Sequence, residues 1–134
     1  MSDEALTMRD LIRHTATMQP DSEAVVDGIG RYTYAELLDR VRHMARLLHT
    51  LGVRKGDRVA LLMPPSGSHL IALFAAIELG AIPAGLHARE SGSTLAAVVE
   101  KLSPRVLVYD GVFADKAKFL LENSGLMTAG VRAV

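Results

Sequence analysis

The sequence predicts an α/β fold: a mostly parallel sheet with flanking helices, preceded by a short β-hairpin. Three observations carry this. Val59 to Met63 is an unbroken apolar run, opened by Gly56-Asp57 and closed by Pro64-Pro65, as a strand covered on both faces requires. Leu70 to Leu79 is apolar in every direction around a helix, with Glu78 its only charge, so other elements must enclose it. The strand starts Val59, Ile82 and Arg105 recur about every 23 residues with a helical pattern in each gap, the rhythm of right-handed crossovers.

Taken in order, the first helix is announced by Thr7 and Asp10 at capping-box spacing. An apolar pattern of Met8, Leu11, Ile12, Thr15 and Met18 follows, and Pro20-Asp21 stops it. Ala24-Val25-Val26 and Arg31-Tyr32-Thr33 are the arms of a hairpin around the turn Asp27 to Gly30. Thr33 and Glu36 repeat the capping spacing and open a helix over about Tyr34 to Leu51, stopped by Gly52. Leu37, Leu38, Val41, Met44, Ala45, Leu48 and Leu51 share one side of it; Asp39, Arg42, His43, Arg46, His49 and Thr50 share the other.

The unit Gly56 to Gly85 is expected at the centre of the sheet. Ser66 caps its helix, Gly80 takes the left-handed cap, and Pro83 makes the second strand short or places it near an edge. His87 to Ser93 is a polar loop. Leu95, Val98, Val99 and Leu102 form the stripe of a further helix ending before Pro104. Arg105 to Tyr109 is a strand, and a last helix over about Val112 to Glu122 turns Phe113, Ala117, Leu120 and Leu121 inward. Val131 to Val134 reads as the start of another strand.

The 134 residues fit one α/β unit, 1–134, with nearly half of them apolar. Fifteen basic residues balance fifteen acidic ones, so no global field recruits nucleic acid or an anionic membrane. No cysteine is present, which excludes disulfides and thiolate chemistry and suits a reducing, cytoplasmic setting. "MSDEALTMRD" lacks the apolar core of a secretory signal, and the apolar helix is shorter than the ~20 residues that span a bilayer.

Ligands of open α/β sheets sit at the carboxyl ends of the strands, here Pro64 to His69, His87 to Ser93 and Asp110 to Val112. Ser66, Gly67 and Ser68 open a helix whose N-terminal amides suit an anion, or simply cap it; no lysine follows, so this is not a Walker-type phosphate loop. Gly28 and Gly30 begin a G-x-G pattern that Thr33 breaks, leaving turn glycines. His87 and Arg89 project from the second loop, toward an anionic substrate or a neighbouring domain, or into solvent or an ion pair with Glu90 or Glu100. The histidines show no metal-ligand spacing, and no serine, base and acid stand in recognisable order. The Arg42, His43, Arg46 and His49 face is offset by Glu36 and Asp39 and reads as solvated.

The wording of the chain also resembles one family. "TMRDLIRHTATMQPDSEAVVD", "RYTYAELLDRVRHMARLLHTLGVRKGDRVALLMPPS", "LIALFAAIELGAIPAGLHARES" and "TLAAVVEKLSPRVLVYDG" are together similar to the opening of the AMP-forming adenylating enzymes, which include acyl-CoA synthetases and adenylation domains. The resemblance covers roughly residues 5 to 134. It implies a carboxylate activated by ATP and Mg²⁺ to an acyl-adenylate, then transferred to a thiol, usually coenzyme A. The family's phosphate loop with its lysine, acidic adenine motif, ribose-binding aspartate and C-terminal lysine are not found in these residues.

On this reading the chain is the N-terminal portion of an acyl-CoA synthetase, inactive alone and binding no cofactor. Its partners are the remainder of its own synthetase and, for an isolated piece, further copies of itself. A natural short, non-catalytic protein that binds an acyl chain or a partner synthetase is the alternative. "AGLHARES" departs from the family's Pro-Leu-Asn-x-Arg, with His87 where Asn is frequent and Arg89 matching the usual arginine, and "MPPSG" replaces the commoner Met-Pro-Asn-Ser. Both departures face the expected active site, so Ser66, His87 and Arg89 are its candidate pocket or interface residues; no catalytic, cofactor-binding or metal-binding residue is assigned.

Overall fold

The computed structural model describes residues 7–26, 30–126 and 128–133. The helix α1 (Met8–Met18) begins with a complete capping box: the Thr7 hydroxyl accepts from the Asp10 amide, and the Asp10 carboxylate accepts from the Thr7 backbone N–H. The strands β1 (Glu23–Val26) and β2 (Arg31–Thr33) pair antiparallel as a hairpin. Residues 27–29 of its predicted turn lie outside the described residues. Thr33 then caps α2 (Tyr34–Thr50) by a second capping box with Glu36. At the far end Gly52, at φ 98°, donates to the His49 carbonyl and Val53 to the Leu48 carbonyl, a Schellman close.

Four parallel strands follow: β3 (Arg58–Leu62), β4 (Ile82–Gly85), β5 (Val106–Asp110) and β6 (Ala129–Ala133), in the order β4-β3-β5-β6. The connecting helices are α3 (Gly67–Glu78), α4 (Gly92–Leu102) and α5 (Ala114–Asn123). Side chains of β3 and β5 alternate between two cores. Val59, Leu61, Val106 and Val108 meet α2 and α3; Ala60, Leu62 and Leu107 meet α4 and α5. A third cluster of Ile12, Leu37 and Val41, with Leu70, Ile71 and Phe74 packed against it, covers the outer side of α3. The uniformly apolar helix is therefore enclosed, and no residue from Ser66 to Leu79 is exposed. Its one charge, Glu78, sits at 13% side-chain exposure and is held by Arg13, with Arg9 at 4.0 Å. Gly80, at φ 71°, turns the chain from α3 into β4 by a second Schellman close.

Several expectations are corrected. The Gly56 to Gly85 unit is not wholly central: β3 is interior but β4 is the sheet edge, which suits its short length and Pro83. On α1 only Ile12 and Ala16 are buried, while Met8, Leu11 and Met18 are exposed, because α2 and α3 leave room for one narrow stripe. On α4, Ala96 takes the buried place expected for Val98, because a small side chain suits the close approach of the helix to the sheet. The final helix starts at Ala114, after a 3-10 turn over Gly111–Phe113. β6 begins two residues before Val131, and Val134 lies outside the described residues.

Two measurements test this packing. Leu62→Ala, at a fully buried site, is expected to lower unfolding free energy by about 2–5 kcal/mol in urea titration, against within about 0.5 kcal/mol for Val98→Ala. Equal effects would place the core wrongly. The second test is acid stability. The Thr33 backbone N–H and then its hydroxyl hold the Glu36 carboxyl below its ordinary value. A depressed carboxyl contributes stability above its unfolded pKa, and loses it as pH falls through the folded pKa. Glu36→Gln keeps a neutral cap, so wild type should be the more stable near neutrality, with the gap closing in acid. A gap independent of pH would refute the assignment.

Candidate functional site at the carboxyl edge of the sheet

Strand order fixes where a ligand would enter. From β3 the chain crosses by α3 on one face to β4, then returns over β3 by α4 on the other face to β5, and continues by α5 to β6. The direction reverses between β3 and β5, so the crevice of this doubly wound sheet opens at the carboxyl ends of those two strands. Leu62 pairs with Tyr109, Leu61 with Gly85 and Asp110 with Ala133, so all four strands end at nearly one level.

Met63 to Ser66 forms one wall of this edge. Ser66 is half-buried, and its hydroxyl accepts the His69 amide at 3.1 Å while its carbonyl accepts the Leu70 amide at 3.1 Å. These bonds give Ser66 the capping role. Asp110 forms the opposite wall, its carboxylate accepting the Val112 amide at 2.9 Å and opening the 3-10 turn. A Cβ at Gly111 would lie 2.4–2.8 Å from the Arg132 guanidinium, the far end of an exposed side chain that reaches over it from β6.

The third loop, residues 86–91, leaves β4 beside the end of β3. The Glu90 amide donates to the His87 carbonyl at 2.9 Å, closing a turn, and Ser91 caps α4 through the Thr94 amide. His87 and Arg89 are both exposed on this turn. The ion pair allowed for Arg89 with Glu90 or Glu100 is not formed among the described residues. The structure thus brings His87 and Arg89 together on one loop, with Ser66 across the end of β3.

Sequence reasoning passed over Lys116 and Arg132. Lys116, on α5, donates from Nζ to the Glu90 carbonyl at 3.0 Å and to the Ala88 carbonyl. Arg132 lies over Gly111 and makes no ion pair among the described residues. Neither contact has a local spacing signal, since each joins residues more than twenty positions apart.

Two open grooves flank this edge. One of about 670 Å³ lies where the first half of α2, the start of α3 and the end of β6 meet, lined by Glu36, Arg40, His43, Met44, Ile71 and Ala133 among others. The other, of about 600 Å³, lies between the start of α4 and α5. No lysine follows the Ser66 loop before Leu79, and among the described residues no three His, Asp or Glu side chains converge. His43 Nδ1 contacts the Asp39 carbonyl at 2.8 Å one helical turn back, on an exposed face with no nucleophile. The edge is a polar rim carrying both signs of charge, with Arg89, Lys116 and Arg132 beside Glu90 and Asp110.

The sequence pattern of the AMP-binding enzyme family matches residues 12–130. The long-chain-fatty-acid–CoA ligase FadD13 of Mycobacterium tuberculosis is 32% identical over 101 residues, which are 74% of this chain and 20% of that protein. The mitochondrial acyl-CoA synthetase short-chain family member B of Dictyostelium discoideum is 41% identical over 78 residues, 58% of this chain and 11% of its own length. Among solved structures, the N-terminal domain of FACL13 from Mycobacterium tuberculosis superposes with a TM-score of 0.87 at 28% identity, covering 96% of this chain and 34% of that one. A benzoate CoA ligase from Burkholderia xenovorans LB400 gives a TM-score of 0.89 at 20% identity, over 97% and 26%, and shows the shared fold alone. The chain therefore spans a fifth or less of these curated relatives and about a quarter to a third of the solved ones. Matched along most of its length by that pattern, this chain belongs to the AMP-binding enzyme family.

Proposed function

We propose that this chain is the N-terminal portion of an ATP-dependent, AMP-forming carboxylate–CoA ligase of acyl-CoA synthetase type, one α/β unit over residues 1–134. The observation that carries the reading is the family match over residues 12–130, combined with relatives several times longer than the chain. In this reading the chain supplies one wall of the active-site scaffold. ATP, Mg²⁺ and coenzyme A are held by groups belonging to the rest of the synthetase. The work proceeds in the cytoplasm, which the cysteine-free composition supports; no described helix is long and apolar enough to cross a membrane.

Adenylation draws its rate from preorganised donors and a metal ion around the transferring phosphorus. In this reading those groups belong to the rest of the synthetase and the chain alone is inactive. Arg89 is the side chain at this edge best suited to meet an anionic carboxylate, being exposed and free of an ion pair among the described residues. His87 beside it and Ser66 across from it set the polarity of the approach.

The purified chain is expected to give no pyrophosphate exchange into ATP with fatty acids of any length; exchange by the chain alone would overturn the reading. A chimera carrying residues 12–130 in place of the matched segment of the M. tuberculosis long-chain ligase should regain exchange. In that chimera Arg89→Ala should raise KM for the carboxylate about tenfold, the loss of one charge-assisted contact. The outer edge of β6 has no partner strand among the described residues, and such an edge favours association. Sedimentation of the isolated chain should therefore show oligomers that grow with concentration, and a concentration-independent monomer would refute this.

A further inference from the structure

Two side chains of α5, one turn apart, close on the segment where the 86–91 loop becomes α4. Lys116 Nζ donates to the Ala88 and Glu90 carbonyls. Phe119, three residues on and so on the same stripe of the helix, lays its ring over Gly92. A Cβ at Gly92 would come within 2.8 Å of two ring carbons, so the ring as placed lies in the space a Cβ would take. The turn's own hydrogen bond, Glu90 N–H to the His87 carbonyl, leaves the Ala88 and Glu90 carbonyls without a partner from within the turn. The ammonium supplies both with a charged donor, and charged donors make the stronger hydrogen bonds. Ala117 and Leu120, buried against Leu95 and Val99, hold α5 in place behind this clasp.

We propose that Lys116 is a positioning residue: together with Phe119 it clamps the turn at residues 87–91 to α5, and so presents Arg89 at the carboxyl edge for an anionic carboxylate. The assignment to a carboxylate rests on the ligase reading above; the clamp does not. Arg89 follows Ala88 and precedes Glu90, the two residues whose carbonyls are gripped, so its Cα is fixed from both sides while its side chain stays exposed. Without the clamp the turn keeps one internal hydrogen bond, the α4 cap and the packing of Ala88 against the core.

Hydrogen exchange on the purified chain tests the clamp, with the Glu90 amide as reporter. In Lys116→Met the turn at residues 87–91 should exchange about tenfold faster or more, the effect of losing a charged donor, while β5 residues 106–110 exchange as in wild type. Lys116→Arg, which keeps a cation and its donors, should restore most of the protection, and Phe119→Ala should loosen the same segment. Unchanged exchange at 87–91 in Lys116→Met would overturn the proposal. Equal acceleration in β5 would also overturn it, since Lys116 would then support the whole domain. The second readout is the Arg89 Nε–H resonance on adding sodium propanoate. A shift in wild type that weakens in Lys116→Met supports positioning. Silence in both proteins would overturn the carboxylate role of Arg89, and with it that part of the ligase reading, whereas the exchange result decides the clamp independently.

Discussion

Everything in this fold follows from burying β3 on both faces. Val59, Ala60, Leu61 and Leu62 are closed off from water, so each backbone N–H and C=O of the strand needs a partner, and each face needs a cover. β4 and β5 supply the partners by parallel pairing, which obliges the chain to return the long way through a helix each time. Right-handed crossovers in opposite directions then place α3 on one face and α4 with α5 on the other. The location of the crevice is a by-product of the same constraint, because the reversal between β3 and β5 is what covers both faces.

The roles of the arginines differ along the sheet axis. At the amino edge the arginines are occupied. Arg54 donates to the His49 and Val53 carbonyls at 2.8 and 2.9 Å, and Arg58 donates to the Leu102 and Ser103 carbonyls at 3.0 and 3.1 Å. Both serve the electronegative ends of α2 and α4, where cations stabilise unpaired carbonyls. Arg105 meets Asp57 at 3.7 Å. At the carboxyl edge Arg89 and Arg132 have no ion pair among the described residues. The arginines that close helix ends thus lie away from the crevice, and Lys116 is a structural cation beside it. Glu78, the last residue of α3, is paired with Arg13 of α1, so this ion pair joins the two helices.

Most of this architecture was legible because it rests on local chemistry. Thr7 with Asp10 and Thr33 with Glu36 were readable as capping boxes, Gly52 as a helix stop and Gly80 as a left-handed close, since each signal lies within a few residues of its effect. The parallel sheet was legible from the β3 run and the crossover rhythm. What escaped was tertiary choice. Nothing in "LAAVVEKL" says that Ala96 rather than Val98 faces the sheet, because both positions border the same stripe and the facing surface decides. Met8, Leu11 and Met18 match a helical period as well as Ile12 and Ala16 do, yet only the second pair meets α2 and α3. At the candidate site, Ser66, His87 and Arg89 were found from their place after strands; Lys116 and Arg132 were invisible because their contacts cross long sequence separations.

Gly92 and Gly111 show a further limit on reading a site from its residues. Each opens a helical segment at the carboxyl edge, Gly92 that of α4 and Gly111 the 3-10 turn, and each looks in the sequence like a turn glycine. Their φ angles make no such demand, however: neither is among the glycines of positive φ. What a Cβ would meet at Gly92 is the Phe119 ring, and at Gly111 the Arg132 guanidinium, each arriving from a later element. Both glycines therefore record packing against α5 or β6, not backbone flexibility.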